Sequence, residues 1–470
     1  MSKYITTPIY YVNDVPHIGH AYTTIAADVW SRYWKSQGEE VFFLTGIDEH
    51  GAKIAEAAKK AGKEPKEFVD ELAPKFQNAW KKLNIDHSEF FRTTDPKHEK
   101  LVQEFVIELQ DNGYIEKRQY EGLYCVACEQ YYKETDLESG KCPIHKTEPI
   151  KQSEQNYFFL LSKFSNDLKE KIESGELVIG PESRKNEILG KIKQGLEDVS
   201  ISRAGVTWGI PFPGDESQTI YVWVDALLNY YTATKIFDTT AWEEHPADLH
   251  LMAKDILWFH GIIWPAMLLA TGKPLPKKVF AHGFFTINGQ KMSKTIGNVI
   301  DPNAIVAKYG ADALRYALLR EFTFGEDGDI SIDKIAERYN KDLANELGNL
   351  VQRTLSMINI YQVEITNYKS QIPNNDQSSK IGEKIENLQF SEALIDIWSL
   401  VQLANKFIDD SKPWELAKSD QTKLVEVLNK TYSDILQVSE LLKPFLPETS
   451  EKISDQLKTL KPEPIFPRID

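Results

Sequence analysis

The pattern of hydrophobic and polar positions divides the chain into stretches of different texture. YITTPIYYV (4–12) is rich in β-branched and aromatic residues and is cut off by Asn13-Asp14 and Pro16, which predicts a strand. From His17 to about Gln37 the apolar positions recur at helical spacing, and Gly38 supplies a stop. EEVFFLTGIDEHG repeats the scheme, with a short apolar strand over 41–45 followed by a glycine-bearing loop that opens the next helix. Strands apolar on both faces and separated by helices imply a parallel sheet covered on both sides. Ligands then belong at the carboxyl ends of the strands.

The texture changes near Gly113. Residues 114–150 hold every cysteine of the chain among Tyr, Glu and Lys, NYFFLLSKFSNDLKEKI (156–172) reads as helix, and 199–224 reads as strands joined by turns. This predicts an inserted domain over 114–215, after which the α/β texture resumes at TIYVWVDALLNYY and runs to about Phe280. ILWFHGIIWPAMLLA (256–270) reads as a buried helix: it is shorter than the ~18–20 residues a membrane span needs and carries His260. Beyond about residue 335 strand signals vanish. Leu343, Leu347, Leu350, Leu355 and Ile358, then Leu394, Ile397, Val401, Ala404 and Ile408, recur at helical spacing, with a polar connector at 367–380 between them. A helical bundle is expected there. The predicted fold class is thus α/β, interrupted by an insertion and followed by an α-helical bundle, with boundaries 1–113, 114–215, 216–280, 281–335 and 336–470.

Composition narrows the class. At ~100–200 residues per domain, 470 residues imply several domains. With 41% hydrophobic and 27% charged residues the chain has enough to bury to exclude a disordered one. A net charge of −15 argues against nonspecific coating of nucleic acid, which depends on Lys and Arg, though not against a local site for a structured RNA. The start MSKYITTPIYYVND is neither a signal nor a transit peptide, and three cysteines do not make a secreted disulfide framework. A reducing, cytoplasmic setting is expected.

Four groups of residues carry chemistry. His17-Ile18-Gly19-His20 stands where the first strand hands over to the first helix, and a helix N-terminus offers unpaired N–H groups to an anion. Two imidazoles one turn apart add donors, and Gly19 leaves room for a flat base; alone, the motif also fits two partly buried structural histidines. Lys291-Met292-Ser293-Lys294-Thr295 places two lysines three apart in a loop, suited to a polyphosphate or simply a solvated basic loop. Cys125, Cys128, Cys142 and His145 form two knuckles, each pair with two residues between its ligands, the spacing of a closed, four-ligand structural zinc site. Asn349 and Arg353, four apart, share a helix face, and Trp414 follows Pro413 at a helix start. These fit either an RNA-reading surface or an ordinary surface pair and a core tryptophan.

Together and in this order, H-I-G-H and K-M-S-K-T resemble the two signatures of class I aminoacyl-tRNA synthetases, with Thr295 where the family has Ser. The segments TPIYYVNDVPHIGHAYT, FLTGIDEHG, YVWVDALLNYY, KDILWFHGIIWPAM and HGFFTINGQKMSKT are similar to the methionyl members, and the similarity spans essentially the whole chain. The resemblance implies a Rossmann-like catalytic domain split by a single-knuckle zinc insertion, a KMSK-loop region contacting the tRNA stem at 281–335, and an anticodon-binding bundle. It implies ATP with Mg²⁺ as substrate, handled by His17, Gly19, His20, Asp255, Lys291, Ser293 and Lys294, of which His17, His20, Lys291 and Lys294 would be catalytic. Pro8, Ile9, Tyr11, Trp223, Ala226, Leu227, Tyr230, Ile256 and His260 would line a methionine pocket, with Asp48 pairing with the substrate ammonium. A polarizable thioether suits aromatic edges and one weak donor. Ala253 stands where the family has glycine. One structural Zn²⁺ and the CAU anticodon of tRNA(Met), read by Asn349, Arg353 and Trp414, complete the implied partners. Many relatives carry a C-terminal dimerising extension absent after IFPRID, so a monomer is expected. Synthetases for Leu, Ile or Val, and a noncatalytic zinc-knuckle RNA-binding module, are the rival readings; the first would need room for an editing domain, and the second leaves both phosphate motifs without a purpose.

Overall fold

The structure, a computed structural model, describes residues 2–126, 130–132, 134–144, 146–292, 298–366 and 376–469. Six strands form one parallel sheet: β1 (Lys3–Tyr11), β2 (Val41–Asp48), β3 (Glu89–Arg92), β4 (Val178–Gly180), β5 (Leu249–Ala253) and β6 (Lys278–His282), in the order β3-β2-β1-β5-β6-β4. The order reverses between β1 and β5. Their register runs over Ile5↔Leu249 and Thr6↔His250, so the carboxyl-end half of β1 departs from β5 and opens a crevice at the switch point.

Two departures from the expected elements concern β1 and β2. Pro8 has no N–H to give a ladder, and the β1–β2 register shifts between Thr6 and Ile9 to accommodate it: Thr6 faces Leu44, Ile9 faces Gly46, and Thr45 alone serves Thr7 and Pro8. Strand β2 continues past Thr45 to Asp48, so Gly46 belongs to the strand and not to a loop. Its lack of a side chain is required there, because a Cβ would overlap the carbonyl of Phe91 in β3 and lie 2.7 Å from that residue's Cβ.

Alternation along the strands builds a core on each face. Ile5, Tyr10, Phe43, Ile47 and Leu251 pack beneath α1 (Ile18–Ser36). Tyr4, Ile9, Leu44 and Met252 pack against the helices Pro96–Asp111, Val222–Ile236 and Trp264–Ala270. The first core continues without a break through the helix Ala311–Arg320 into the C-terminal helices Asn349–Ile360, Phe390–Ser411, Gln421–Leu442 and Pro447–Thr459. The bundle is therefore fused to the sheet domain.

The segment 114–215 holds a four-stranded antiparallel sheet (Gln130–Tyr132, Ile115–Cys125, Ile150–Phe159, Val199–Ser200) but also supplies β4 to the parallel sheet. The expected helix from Asn156 begins only at Ser165; up to Phe159 the chain is strand, since Phe158 and Phe159 pair with Glu116 and Ile115 and bury against neighbours. The expected helix over 256–270 is broken into a turn at Lys254–Ile256, a wider π-helical turn at Phe259–Ile263 and the α-helix Trp264–Ala270. Among the described residues no helix is long and apolar enough to cross a membrane.

Candidate functional site

The crevice is bounded by the residues that follow β1. His17 caps α1: its Nδ1 accepts the Gly19 N–H (3.1 Å), while Nδ1 of His20 accepts the His17 N–H (3.3 Å), a capping box made of two imidazoles. The rings stack at 3.7 Å and 17°. With both Nδ1 atoms accepting, each neutral ring carries its proton on Nε2, the atom that would donate to a phosphate oxygen. Tyr10 supports His20 from below, its ring 4.8 Å away and its hydroxyl 2.7 Å from Thr24 Oγ1.

The basic loop returns to this helix end at both described flanks. The Ile300 carbonyl accepts the Ile18 N–H (3.2 Å), and the Met292 methyl lies 3.6 Å from where a Cβ on Gly19 would stand. Ser293, Lys294 and Thr295, and the side chain of Lys291, lie outside the described residues. Ala253 ends β5 opposite His282, and Asp255 is exposed in the turn that follows.

The period of two along β1 sorts the remaining residues. Tyr10 faces α1, whereas Ile9 faces the opposite core with Ala226, Leu227 and Tyr230, all buried. Tyr11 pairs in register with Asp48 at the strand ends, and Pro8 is buried at the bulge. The Tyr230 hydroxyl donates to His260 Nε2 (2.8 Å), and His260 Nδ1–H donates to the Ile256 carbonyl (3.0 Å). Burial lowers the His260 pKa to about 4, so the ring is neutral, and burial raises that of Tyr230. The half-buried Trp223 stacks on Phe259 at 3.8 Å and 6°. Asp48 is buried at the end of β2, its Oδ1 3.4 Å from the His50 N–H.

Two further groups stand apart. Cys125 and Cys142 are both buried; the Thr147 hydroxyl lies 3.5 Å from Cys125 Sγ, and the Thr147 carbonyl accepts the backbone N–H of Cys142 (2.9 Å). Cys128 and His145 lie outside the described residues. On the bundle, Asn349 is exposed, Arg353 donates to Asp409 Oδ1 (2.7 Å) and Asn405 Oδ1 (3.0 Å), and Trp414 is 41% exposed. Arg353 thus holds the end of the helix Phe390–Ser411, just before Trp414.

Sequence reasoning missed Phe259, Ile300 and the buried group His50, His98 and Asp225. Only Asp225 carried a signal, as a lone carboxylate in the apolar run VWVDALL.

A family model described as tRNA synthetases class I (M) matches residues 3–148 and 128–355. The chain is 45% identical to a methionine–tRNA ligase of Nostoc sp. (strain PCC 7120) over 96% of its own length and 89% of that protein's. It is 46% identical to the corresponding ligase of Caldanaerobacter subterraneus subsp. tengcongensis, covering 97% and 73%. A solved structure of Mycobacterium tuberculosis methionyl-tRNA synthetase in complex with methionyl-adenylate superposes with a TM-score of 0.89 at 35% identity, covering 99% of this chain and 100% of that one.

Proposed function

The chain belongs to the methionine–tRNA ligases, within the class I tRNA synthetases, and from that membership we propose how its residues divide the work. It activates methionine with ATP, forming methionyl-adenylate as pyrophosphate leaves the ATP, and then passes the methionyl group to tRNA. The methionine carboxylate attacks the α-phosphate of Mg²⁺-bound ATP, so no side chain forms a covalent intermediate. The protein positions the reactants and stabilises the charge that spreads over the phosphates. We assign that stabilisation to the Nε2 donors of His17 and His20 and to the ammonium groups of Lys291 and Lys294. Gly19, Ser293 and Asp255 complete the nucleotide site.

The observation that carries this reading is the convergence at α1: two stacked imidazoles at a helix N-terminus, with both described flanks of the basic loop returning to the same helix end. Lys294→Ala should slow adenylate formation about a hundredfold or more while leaving methionine binding nearly intact, since one well-placed charge stabiliser is worth ~2.7–4 kcal/mol. Rapid-quench measurement of single-turnover adenylate formation decides it, and a parent-like rate removes Lys294 from the chemistry.

Methionine is assigned to the opposite face of β1. Asp48 would take the ammonium, and Pro8, Ile9, Tyr11, Trp223, Ala226, Leu227, Tyr230, Ile256 and His260 the side chain. The Tyr230 hydroxyl hydrogen goes to His260 and the His260 Nδ1–H to Ile256, so no donor of this pair is left for the thioether. Selection then rests on shape and dispersion. In the inserted segment, Cys125 and Cys142 are buried, and with Cys128 and His145 they would hold one Zn²⁺. A closed four-ligand site cross-links the knuckles and takes no substrate; elemental analysis should find one zinc per chain, and zero or two would contradict the ligand set. Asn349, Arg353 and Trp414 are assigned to the CAU anticodon of tRNA(Met).

A further inference from the structure

Behind the methionine side of the crevice lies a buried carboxylate that the reaction does not touch. Asp225 is 1% exposed, and each of its oxygens meets a different imidazole: His50 Nδ1 lies 2.7 Å from Oδ2 and His98 Nε2 lies 2.7 Å from Oδ1. His50 and His98 are 3% and 0% exposed. The two rings come from elements far apart in the chain, His50 from the loop two residues after Asp48 and His98 from the helix Pro96–Asp111. A carboxylate only accepts, so both ring nitrogens donate; the far nitrogen of His98 is bonded to Thr232 Oγ1 at 2.7 Å. Burial opposes a charge on His50, but Asp225 chiefly, then Glu99 and Asp48, outweigh it and hold its pKa at about 10. Burial likewise opposes the charge on Asp225, and His50 and His98 outweigh it, keeping its pKa below the usual carboxylate value. The result is a buried ion pair.

Its place on the helix Val222–Ile236 is the informative part. Successive residues of a helix turn by about 100°, so Asp225, Asn229 and Thr232 fall on one side, and Trp223, Ala226, Leu227 and Tyr230 on roughly the opposite one. The helix thus shows a side-chain pocket to the crevice and a carboxylate to the elements behind it. The loop that Asp225 holds is pinned from its other side by Trp208, whose indole N–H donates to the Glu49 carbonyl (2.6 Å) and whose carbonyl accepts the Gly51 N–H (3.0 Å). The carboxylate of Glu49 is fixed in turn by Arg92 and Thr94. A buried ion pair contributes little net stability compared with an apolar replacement, because both charges lose their hydration. What it does supply is direction, two charge-assisted bonds from two elements to one rigid group.

We propose that Asp225 is a positioning residue for methionine recognition: by accepting one hydrogen bond from His50 and one from His98, it ties the segment carrying Asp48 to the reverse face of the pocket helix and so fixes the separation between ammonium site and side-chain site. The inference rests on the assignment of Asp48 and the pocket under the proposed function. A ligand as small as methionine touches both sites at once, and a shift of about 1 Å between them is enough to cost a hundredfold. ATP is assigned to the α1 side of β1 and does not depend on this separation.

The test is methionine-dependent ATP–pyrophosphate exchange by the full chain, with KM measured separately for methionine and for ATP. Asp225→Ala should raise the methionine KM at least tenfold and leave the ATP KM within twofold. Asp225→Asn should recover part of the loss, since its amide oxygen accepts from His50 and its NH2 donates to His98 Nε2 once that ring's proton moves to Nδ1. His98→Phe, which removes one bond and keeps a flat ring beside Phe91, should raise the methionine KM about threefold, and it decides the matter if Asp225→Ala does not fold. A methionine KM unchanged in these variants, or one rising in step with the ATP KM, overturns the proposal. Asp48→Ala separates the two layers: if it abolishes methionine recognition while Asp225→Ala is parent-like, the inference alone fails, and if Asp48→Ala is itself parent-like, the pocket assignment fails first.

Discussion

His250, His260 and His282 are each buried with an acceptor on one ring nitrogen and a donor to the other. His250 Nε2 accepts the Trp264 indole N–H and its Nδ1 faces Thr6 Oγ1; His282 Nδ1–H donates to the Gly283 carbonyl and its Nε2 faces Thr23 Oγ1. Burial lowers all three, His260 and His282 to about 4 and His250 well below the usual value, so these rings stay neutral where an unfolded chain's histidines would be protonated. His50 is raised to about 10 and behaves oppositely. As pH falls below ~6.5 the unfolded chain binds protons that the three neutral rings refuse, at about 1.4 kcal/mol per unit and ring. The His50 contribution is complete below ~6.5 and is lost as pH rises toward its folded value. Stability by urea denaturation should therefore peak near pH 6.5–7 and fall about twice as steeply from pH 6.5 to 5.5 as from 7.5 to 8.5. A flat profile between pH 5.5 and 8.5 would show that these rings titrate normally.

Strand β2 shows how an element delivers a functional group. It must run to its last residue to bring Asp48 beside Tyr11, and that extension requires β3 to approach at Gly46. Gly46→Ala pushes a methyl into the Phe91 backbone, which cannot rotate away as a side chain can. The cost should reach the upper end of the ~1–3 kcal/mol of over-packing, and methionine affinity should fall with it because Asp48 ends the same strand. Gly190 is the contrast: it lies inside the helix Glu182–Gln194 with open space where its Cβ would be, and alanine there should stabilise by ~0.5–1 kcal/mol. Denaturant midpoints of the two variants test the pair, and a Gly46→Ala protein of parent stability would mean the sheet yields at β3.

At the scale of the molecule, the anticodon reading proposed for the bundle would have to be registered against the chemistry proposed for the sheet domain. The continuous core between α1 and the bundle is one means, and Arg315 is another. Fully buried, it donates to Asp28 of α1 (2.6 Å) and to the carbonyls of Phe445 (2.7 Å) and Pro444 (3.0 Å) in the turn before the last helix. Trp414, exposed beside the helix end held by Arg353, is the residue we assign to stacking on a base. Stacking is worth ~1–3 kcal/mol, so Trp414→Ala should lower tRNA charging about tenfold or more and leave pyrophosphate exchange unchanged. Equal losses in both assays would make Trp414 a structural residue.

What the sequence determined by itself was whatever depends on neighbours a few residues apart. A glycine between two histidines at a helix start, Cys and His residues paired with two residues between them, and leucines at helical spacing are all local patterns, legible without knowing which distant segments meet. Tertiary structure decided what depends on which distant segments meet. Phe158 and Phe159 are strand and not helix because Ile115 and Glu116 offer them backbone partners. A strand from the inserted segment completes the sheet because β6 would otherwise present an open edge. Asp225 meets His50 across 175 residues and His98 across 127. No spacing rule encodes such meetings, since a buried charge can be satisfied by any donor that packing brings to it, and only the folded chain selects which.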